Sequence, residues 1–458
     1  MLDWVYRAIE RHLRRKPSRL AACLPYIPRW LVERVARAKL VRTLRHVWDH
    51  SPVQRELWRA AGVTRRDLRS TDVLPRIPFF DLTPARESPE SCFCVPEREL
   101  THLLTTAGTT GRRKNIYMTN EDMEQQTRIM GMRLVALPGA SRVLVLFSVA
   151  TSTWTAGPMS QRAIEKGNLF GIVCDQDRPP AEQIDFIRRH RIDTLIGAMT
   201  TLQRLTLEAD CDLKSLGVKY ILLSAQPWPE SMRRQIEEAW GATVIDVYGL
   251  MEFGSGVASE CVEQNGLHIA ATDFRVEIVD PETGTLLPDG EYGEIVLTTL
   301  TRRGMPLVRY RTHDLACLLP ETRRCPCGMP TRRLSRVRGR LDHVIIAGAG
   351  GKFYPDDFDR VLLGVPGVSD YQLTIDRQGY RDVLSVTVES DEPVETLAPR
   401  LTEALFTLKF LRRSCVERDT MALGEFRTVS RGTLSAGRPK SLRIVDRRKM
   451  VDEAPPAP

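Results

Sequence analysis

Leu103-Leu-Thr-Thr-Ala-Gly-Thr-Thr-Gly-Arg-Arg-Lys114 is the stretch on which the reading of this chain turns. Two leucines lead into hydroxyls and glycines, and the run ends in positive charge. Gly108 and Gly111 permit a tight turn that brings backbone N–H groups close to an anion. Thr105, Thr106, Thr109 and Thr110 offer hydroxyl donors to phosphate oxygens. Lys114, beside Arg112 and Arg113, adds charge that offsets a polyphosphate. The run is not a Walker A loop, which spaces its glycines further apart and sets a Ser or Thr directly after its Lys. Taken alone, such a loop is equally at home as a surface turn.

Working outward, strand-like and helical runs alternate from Arg142 to about Asp246. Arg142–Phe147, Thr194–Ile196, Lys219–Ser224 and Thr243–Val247 read as strands. Gln183–His190, Thr201–Glu208 and Pro229–Trp240 read as helices. Such alternation implies parallel pairing with helices on the sheet faces, and ligands gather at the carboxyl ends of the strands. Two polar segments sit just there: Ser224-Ala-Gln-Pro-Trp228 and Tyr248-Gly-Leu-Met-Glu252. Phe274–Asp280 and Gly293–Leu300 alternate as a hairpin around Pro-Glu-Thr-Gly. Tyr310-Arg-Thr-His-Asp314 and Gly339-Arg-Leu-Asp342 follow, and the pattern then changes to a compact α/β segment. In that segment Val344–Ile346, Tyr371–Ile375 and Leu384–Glu389 read as strands, and Asp356–Leu363 and Leu397–Phe410 as helices. Upstream, a helix is expected over Trp30–Asp49, and Leu74–Phe80, with its two prolines, reads as extended.

The chain has 458 residues, 42% hydrophobic and 27% charged, enough for two or three domains. No run approaches the ~18 consecutive apolar residues of a membrane span. The first residues lack a secretory signal pattern, so a cytoplasmic setting with its ten cysteines reduced is expected. The net charge of +8 suits nucleic acid, anionic membrane or polyanionic small ligands. With no RNA-binding signature and no basic tract interleaved with aromatics, nucleic acid is not expected as a partner. Leu2, Val5, Ile9 and Leu13 share one face of a basic first helix, which either packs on the body or touches an acidic membrane surface. Cys92 and Cys94 read as ordinary buried thiols. Cys325-Pro-Cys327 forms one local pair and Cys261 with His268 another, and zinc sites are commonly built from two such pairs. Structural Zn²⁺ and unligated cysteines are the two readings of that set.

In this order the segments resemble the ATP-dependent adenylate-forming enzymes (acyl-CoA synthetases, adenylation domains, luciferases), and most closely their phenylacetate–CoA ligase-like branch. The likeness rests on Leu74–Phe79, the Thr/Gly loop, Gln226-Pro-Trp228, Tyr248–Glu252, Pro306–Thr312 and Arg338–Asp342. It implies an α/β fold: a large N-terminal multi-subdomain α/β domain with a β-rich region, hinged to a small C-terminal α+β domain. The expected boundaries are 1–73 for an N-terminal helical region, 74–340 for the rest of the large domain, 341–450 for the mobile domain and 451–458 for a disordered tail. It implies that a carboxylic acid, aryl or medium acyl, is activated by ATP and Mg²⁺ to an acyl-adenylate. The acyl group then passes to coenzyme A or, alternatively, to a carrier-protein thiol; a non-catalytic nucleotide-binding relative is a further alternative.

Carried over residue by residue, the resemblance makes Thr105–Gly111 and Lys114 the pyrophosphate clamp, with Thr109 catalytic. It makes Glu252 the Mg²⁺ ligand, and puts Ser224, Ala225, Gln226, Tyr248 and Gly249 around adenine. It puts Asp314 and Arg340 at the ribose and phosphate, and Asp342 at the hinge. Lys440 would bridge acid and nucleotide, with Arg438, Lys449 and Lys409 as rivals. Phe147–Thr155, including Trp154, and Gly254–Ala258 would line the acyl pocket. Cys…His and Cys-x-Cys elements in part of this branch support the zinc reading of Cys261, His268, Cys325 and Cys327. The chain departs from the pattern at Ala107, Arg113, Met251 and His313. Oligomeric state is not readable.

Overall fold

The computed structural model describes residues 23–83, 88–105, 114–147, 156–224, 228, 230–254, 256–321, 324–341, 345–347, 351–434 and 443–448. The chain forms two compact units: one of residues 1–225, 236–312 and 316–337, the other of 226–235, 313–315 and 338–458.

The first unit opens with helices α1 (Arg29–His50) and α2 (Pro52–Ala60). Their buried faces bring Leu44, Val47, Trp48 and Trp58 into a core with Leu68, Val73, Leu74, Ile77 and Val308. The Leu74–Phe80 stretch, expected to be extended, instead begins inside a 3₁₀ turn, Thr71–Arg76, because Ser70 caps it by accepting from the Asp72 N–H. Strands β1 (Leu100–Thr105) and β2 (Asn115–Thr119) pair antiparallel, with Thr105 opposite Asn115. The Thr/Gly loop is therefore a hairpin connection with its two ends pinned. Helix α3 (Asn120–Val135) follows at once. It starts on a capping box in which Thr119 and Asp122 satisfy each other's backbone N–H groups.

Next come β3 (Arg142–Leu146), α4 (Ala156–Lys166), β4 (Phe170–Cys174), α5 (Pro180–His190), β5 (Thr194–Ala198) and α6 (Met199–Leu207). These are followed by β6 (Tyr220–Ser224), α7 (Glu230–Trp240), β7 (Thr243–Tyr248), β8 (Ala258–Ser259) and β9 (Leu267–Ile269). Then come β10 (Phe274–Val279), β11 (Gly293–Thr299), β12 (Tyr310–Ala316) and β13 (Arg333–Leu334). One sheet runs β13-β9-β8-β7-β6-β5-β3-β4. Its β3 to β7 part is parallel, with Leu223 beside Asp246 in β6 and β7. Strands β5 and β6 are unbroken apolar runs because helices cover both sheet faces. Beyond β7 the pairing turns antiparallel, Tyr248 lying opposite Ala258. Strands β10 and β11 form the expected hairpin, Phe274 opposite Thr299.

In the second unit Asp314 and Leu315 of β12 pair antiparallel with Arg340 and Gly339 of β14 (Gly339–Arg340). Further on lie β15 (Ile345–Ala347), β16 (Gly351–Phe353), α8 (Pro355–Leu362), β17 (Asp370–Gln378) and β18 (Arg381–Glu389). Last come α9 (Val394–Phe406), α10 (Lys409–Arg412), β19 (Met421–Val429) and β20 (Ile444–Asp446). The sheet order is β19-β18-β17-β20. The strands and the helix at Asp356–Leu363 expected for the C-terminal segment are present within a few residues of their expected ends, while the single helix expected over Leu397–Phe410 is instead two, α9 and α10.

Candidate active site

The best-defined constellation is built in the first unit by three elements. Lys114 is the last residue of the Thr/Gly hairpin connection. Glu252 sits in a 3₁₀ turn, Met251–Phe253, within the connection from β7 to β8. Tyr310 opens β12. The Lys114 Nζ donates to Glu252 Oε1 at 3.1 Å and to the Tyr310 hydroxyl at 2.8 Å, and that hydroxyl donates to the same Oε1 at 3.0 Å. Glu252 is buried and Lys114 is only part-exposed, so the interaction is much less screened than a surface ion pair. Arg302 backs the turn. Its Nη1 donates to the Glu252 carbonyl at 2.5 Å and its guanidinium lies 5.8 Å from the Phe253 ring centroid. Burial pulls Arg302 down to about 10, against the pull of Asp122 and Glu252, so it stays charged at neutral pH.

Ser224 and Tyr248 end the neighbouring parallel strands β6 and β7. Gly249 follows directly, and both motif segments therefore leave the carboxyl edge of the sheet. Tyr248 is buried against the core that includes Met123, Ile129 and Phe253. Thr105 Oγ1 donates to Asn115 Oδ1 at 3.1 Å, tying the two stems of the Thr/Gly connection. In the second unit Arg340 lies 3.9 Å from the Asp314 carboxylate. His313 holds φ +62°, the left-handed region that glycine enters without a Cβ penalty. That accounts for a Gly being usual at this position in the resembled family. Arg443, which opens the Arg443–Asp446 segment, is anchored by ion pairs with Asp370 and Asp359. Thr106, Gly108, Thr109, Thr110, Gly111, Ala225, Gln226, Asp342, Trp154 and Lys440 lie outside the described residues, as do Ala107, Arg438 and Lys449, the first helix and the tail.

The sequence reading gave no role to Tyr310 or Arg302. Tyr310 lay inside a quoted motif, but only a fold could show its hydroxyl meeting a side chain 58 positions away. Arg302 carried no signal beyond its nearness to that motif.

The second constellation is also in the first unit. Cys261, His268, Cys325 and Cys327 bring their ligand atoms within 4.8 Å of one another. Cys261 Sγ is 3.6 Å from Cys325 Sγ, and Cys327 Sγ is 3.3 Å from His268 Nε2. A tetrahedral zinc with Zn–S near 2.3 Å sets its sulfurs about 3.8 Å apart, so this donor set fits that ion in number, type and spacing. The other ring nitrogen of His268 faces Thr331 Oγ1 at 3.3 Å, the kind of outer partner that orients a ligating imidazole. Cys261 is pushed up to about 12, first by its hydrogen bond to Cys327 and then by burial, while Cys327 is lowered by the same bond. Cys92 and Cys94 are buried and take no part in the cluster; burial pushes them up to about 11 and about 12.

Comparison with known proteins agrees with this architecture. The model of the AMP-binding enzyme family matches residues 29–300, and that of the AMP-binding enzyme C-terminal domain matches residues 350–448. This chain belongs to the AMP-binding enzymes. Within them it is similar to the phenylacetate–coenzyme A ligase of Thermus thermophilus, 32% identical over 402 residues covering 85% of this chain and 89% of the relative. The phenylacetate–coenzyme A ligase of Escherichia coli is 30% identical over 423 residues, 90% of this chain and 94% of the relative. A crystal structure of 2-hydroxyisobutyryl-CoA ligase in the postadenylation state, in complex with R3-HIB-AMP, shares the fold. Its TM-score is 0.78 at 21% identity, covering 93% of this chain and 92% of that one.

Proposed function

We propose that this chain is an AMP-forming acid–coenzyme A ligase of the phenylacetate–CoA ligase type. It joins a carboxylic acid to ATP as an acyl-adenylate and then to coenzyme A as a thioester. The observation that carries the reading is the Lys114–Glu252–Tyr310 triangle at the foot of the Thr/Gly connection. In the first half-reaction a carboxylate oxygen of the acid attacks the α-phosphorus, an O–P bond forms, and pyrophosphate leaves with the bonding pair. In the second, the coenzyme A thiol loses its proton, its sulfur attacks the acyl carbon, and AMP leaves.

Negative charge grows on phosphate oxygens in the first step, so donors fixed in advance do most of the stabilising. Lys114 supplies an ammonium from a pinned hairpin end, and the loop residues Thr105 to Gly111 supply hydroxyl and backbone donors. Glu252 offers the hard oxygen donor that Mg²⁺ takes, and a bound Mg²⁺ would neutralise charge on the phosphates. Tyr310 holds the orientation of that carboxylate. Tyr248, with Ser224 to Gln226, flanks the base; Asp314, braced by Arg340, accepts from the ribose hydroxyls. Lys440 from the C-terminal domain completes the adenylating arrangement. Cys261, His268, Cys325 and Cys327 would hold a zinc ion with all four of its usual protein ligands, and its part would then be structural rather than catalytic.

The test is exchange of labelled pyrophosphate into ATP across a panel of aryl and aliphatic acids, followed by thioester formation with free coenzyme A. The reading requires acid-dependent exchange and a coenzyme A thioester. Exchange without a thioester would transfer the second half-reaction to a protein thiol. Nucleotide binding with no exchange on any acid would end the enzymatic reading.

A further inference from the structure

The net positive charge of this chain is concentrated in its first 45 residues. They hold twelve Lys and Arg against three Asp and Glu, a net of +9, while the whole chain carries +8. Taking +9 from +8 leaves −1 for residues 46–458. The match to the AMP-binding enzyme family begins only at residue 29, so part of this charge precedes the matched region. A charge gathered in one stretch is the footprint of a polyanionic partner.

Helix α1 shows how the charge is presented. One side of it is spent on the core, where Val32, Val35, Leu40, Leu44 and Val47 are buried. Helical spacing puts Trp30, Arg34, Arg37, Ala38 and Arg42 on the other side, and all five are exposed. Among the described residues, no acid pairs with Arg34, Arg37 or Arg42. Trp30 is 62% exposed, and Tyr26, in the turn just before α1, is 86% exposed. Two large rings four residues apart thus stand in water at the start of the helix. A single exposed aromatic is ordinary, but a Tyr and a Trp set beside arginines match the composition of a bilayer interface. Arg37 and Arg42 also line an open hollow of about 640 Å³ between α1 and the Arg69–Asp72 stretch, with Arg45 and Arg69 in the same wall. Asp72 is the one acid in that wall, and the Ser70 hydroxyl donates to it at 2.8 Å. A hollow of that size with four guanidiniums suits a phosphate-bearing headgroup.

We propose that α1, with the basic residues that precede it, seats this protein on an anionic phospholipid bilayer. Arg34, Arg37, Arg42 and Arg69 meet the lipid phosphates, and Tyr26 and Trp30 enter the headgroup layer. The sequence before α1 has the same two ingredients: six basic side chains between Arg7 and Arg19, interspersed with the apolar Leu2, Val5, Ile9 and Leu13. That mixture separates a bilayer from a nucleic acid, which takes the cations but offers aliphatic side chains nothing to enter. The contact is peripheral, since no helix among the described residues is long and apolar enough to cross a membrane. It uses none of the residues assigned to nucleotide or acid.

The experiment sediments the intact protein with large vesicles of phosphatidylcholine alone or with about 30% phosphatidylglycerol. At roughly 0.1 M salt the protein should pellet with the anionic vesicles and stay in solution with the neutral ones, and about 0.5 M salt should release most of it. Arg34→Gln, Arg37→Gln and Arg42→Gln together should weaken the partition by about 100-fold. Tyr26→Ala with Trp30→Ala should weaken it by about tenfold, and this variant serves if the arginine variant is poorly folded. All five side chains are exposed, so the melting temperatures should match the wild type. Equal binding to both kinds of vesicle would overturn the proposal, as would anionic binding that both variants retain in full. No binding to the anionic vesicles would overturn it too, and retention on duplex DNA in that case would assign the charge to nucleic acid. None of these results depends on pyrophosphate exchange, so the ligase reading stands or falls separately.

Discussion

At the scale of single residues, Glu252 joins a cation and a phenol through one carboxylate oxygen. Glu252→Gln keeps the shape and removes the charge, and should lower pyrophosphate exchange by about 100-fold or more. Tyr310→Phe removes one hydrogen bond from the same oxygen and should cost about tenfold. Steady-state exchange at saturating ATP measures both, and a Tyr310→Phe loss as large as that of Glu252→Gln would give the hydroxyl a direct part in the chemistry. His313 is a second case. Its left-handed backbone is strained for any residue with a Cβ, so His313→Gly should raise stability by about 1 kcal/mol, while His313→Ala should give no gain. Chemical denaturation monitored on the intact protein reads both. In the sequence His313 is visible only as a departure from a pattern; the dihedral supplies the reason for the pattern.

At the scale of elements, the cysteine–histidine set ties the chain after β8, strand β9 and the Cys325–Gly328 turn, whose ends join through the Gly328 N–H and the Cys325 carbonyl. If it holds zinc, the purified protein should carry about one equivalent per chain. Cys327→Ser should release it and lower the melting temperature, and a strong chelator should do the same to the wild type. Elemental analysis beside thermal unfolding checks this; full metal-free stability would refute it. The element scale is also where the sequence was most legible. Strands such as Tyr220–Ser224 are mostly apolar and were located on that ground, and the helix expected over Gln183–His190 is present, though it starts three residues earlier, on Pro180. The Thr71–Arg76 turn was missed because its cause is a side-chain cap, Ser70 on the Asp72 N–H, which carries no periodicity. The Lys114–Glu252–Tyr310 triangle was half visible. All three members stood in quoted segments and two of them had a role assigned, yet their meeting depends on sequence separations of 138 and 196 residues.

At the scale of the whole molecule, helix α1 is sewn to distant parts of the first unit along one face. Lys39 Nζ donates to the Thr272 carbonyl, Thr43 Oγ1 to the Leu300 carbonyl, and the His46 ring nitrogen Nε2 meets the Arg303 carbonyl at 3.0 Å. Burial, countered by that carbonyl, lowers His46 below the ordinary imidazole value of 6.5. The folded state therefore takes up this proton later than the unfolded chain does. The contribution of His46 is whole above the unfolded value and is lost as pH falls through it toward the lowered folded value. His46→Gln should thus lose less stability than the wild type between about pH 7.5 and about pH 5.5, read by denaturant unfolding at each pH; equal losses would remove His46 as the cause. No helix among the described residues is long and apolar enough to cross a membrane. The same stitching sets a timetable for the newborn chain. The carbonyls that α1 needs stand 233 and 257 residues downstream, so on a ribosome the helix waits roughly 10 to 50 seconds for them to be made. During that interval a basic, half-apolar rod has nowhere to dock, and it is the part of the nascent protein that chaperones should be found holding.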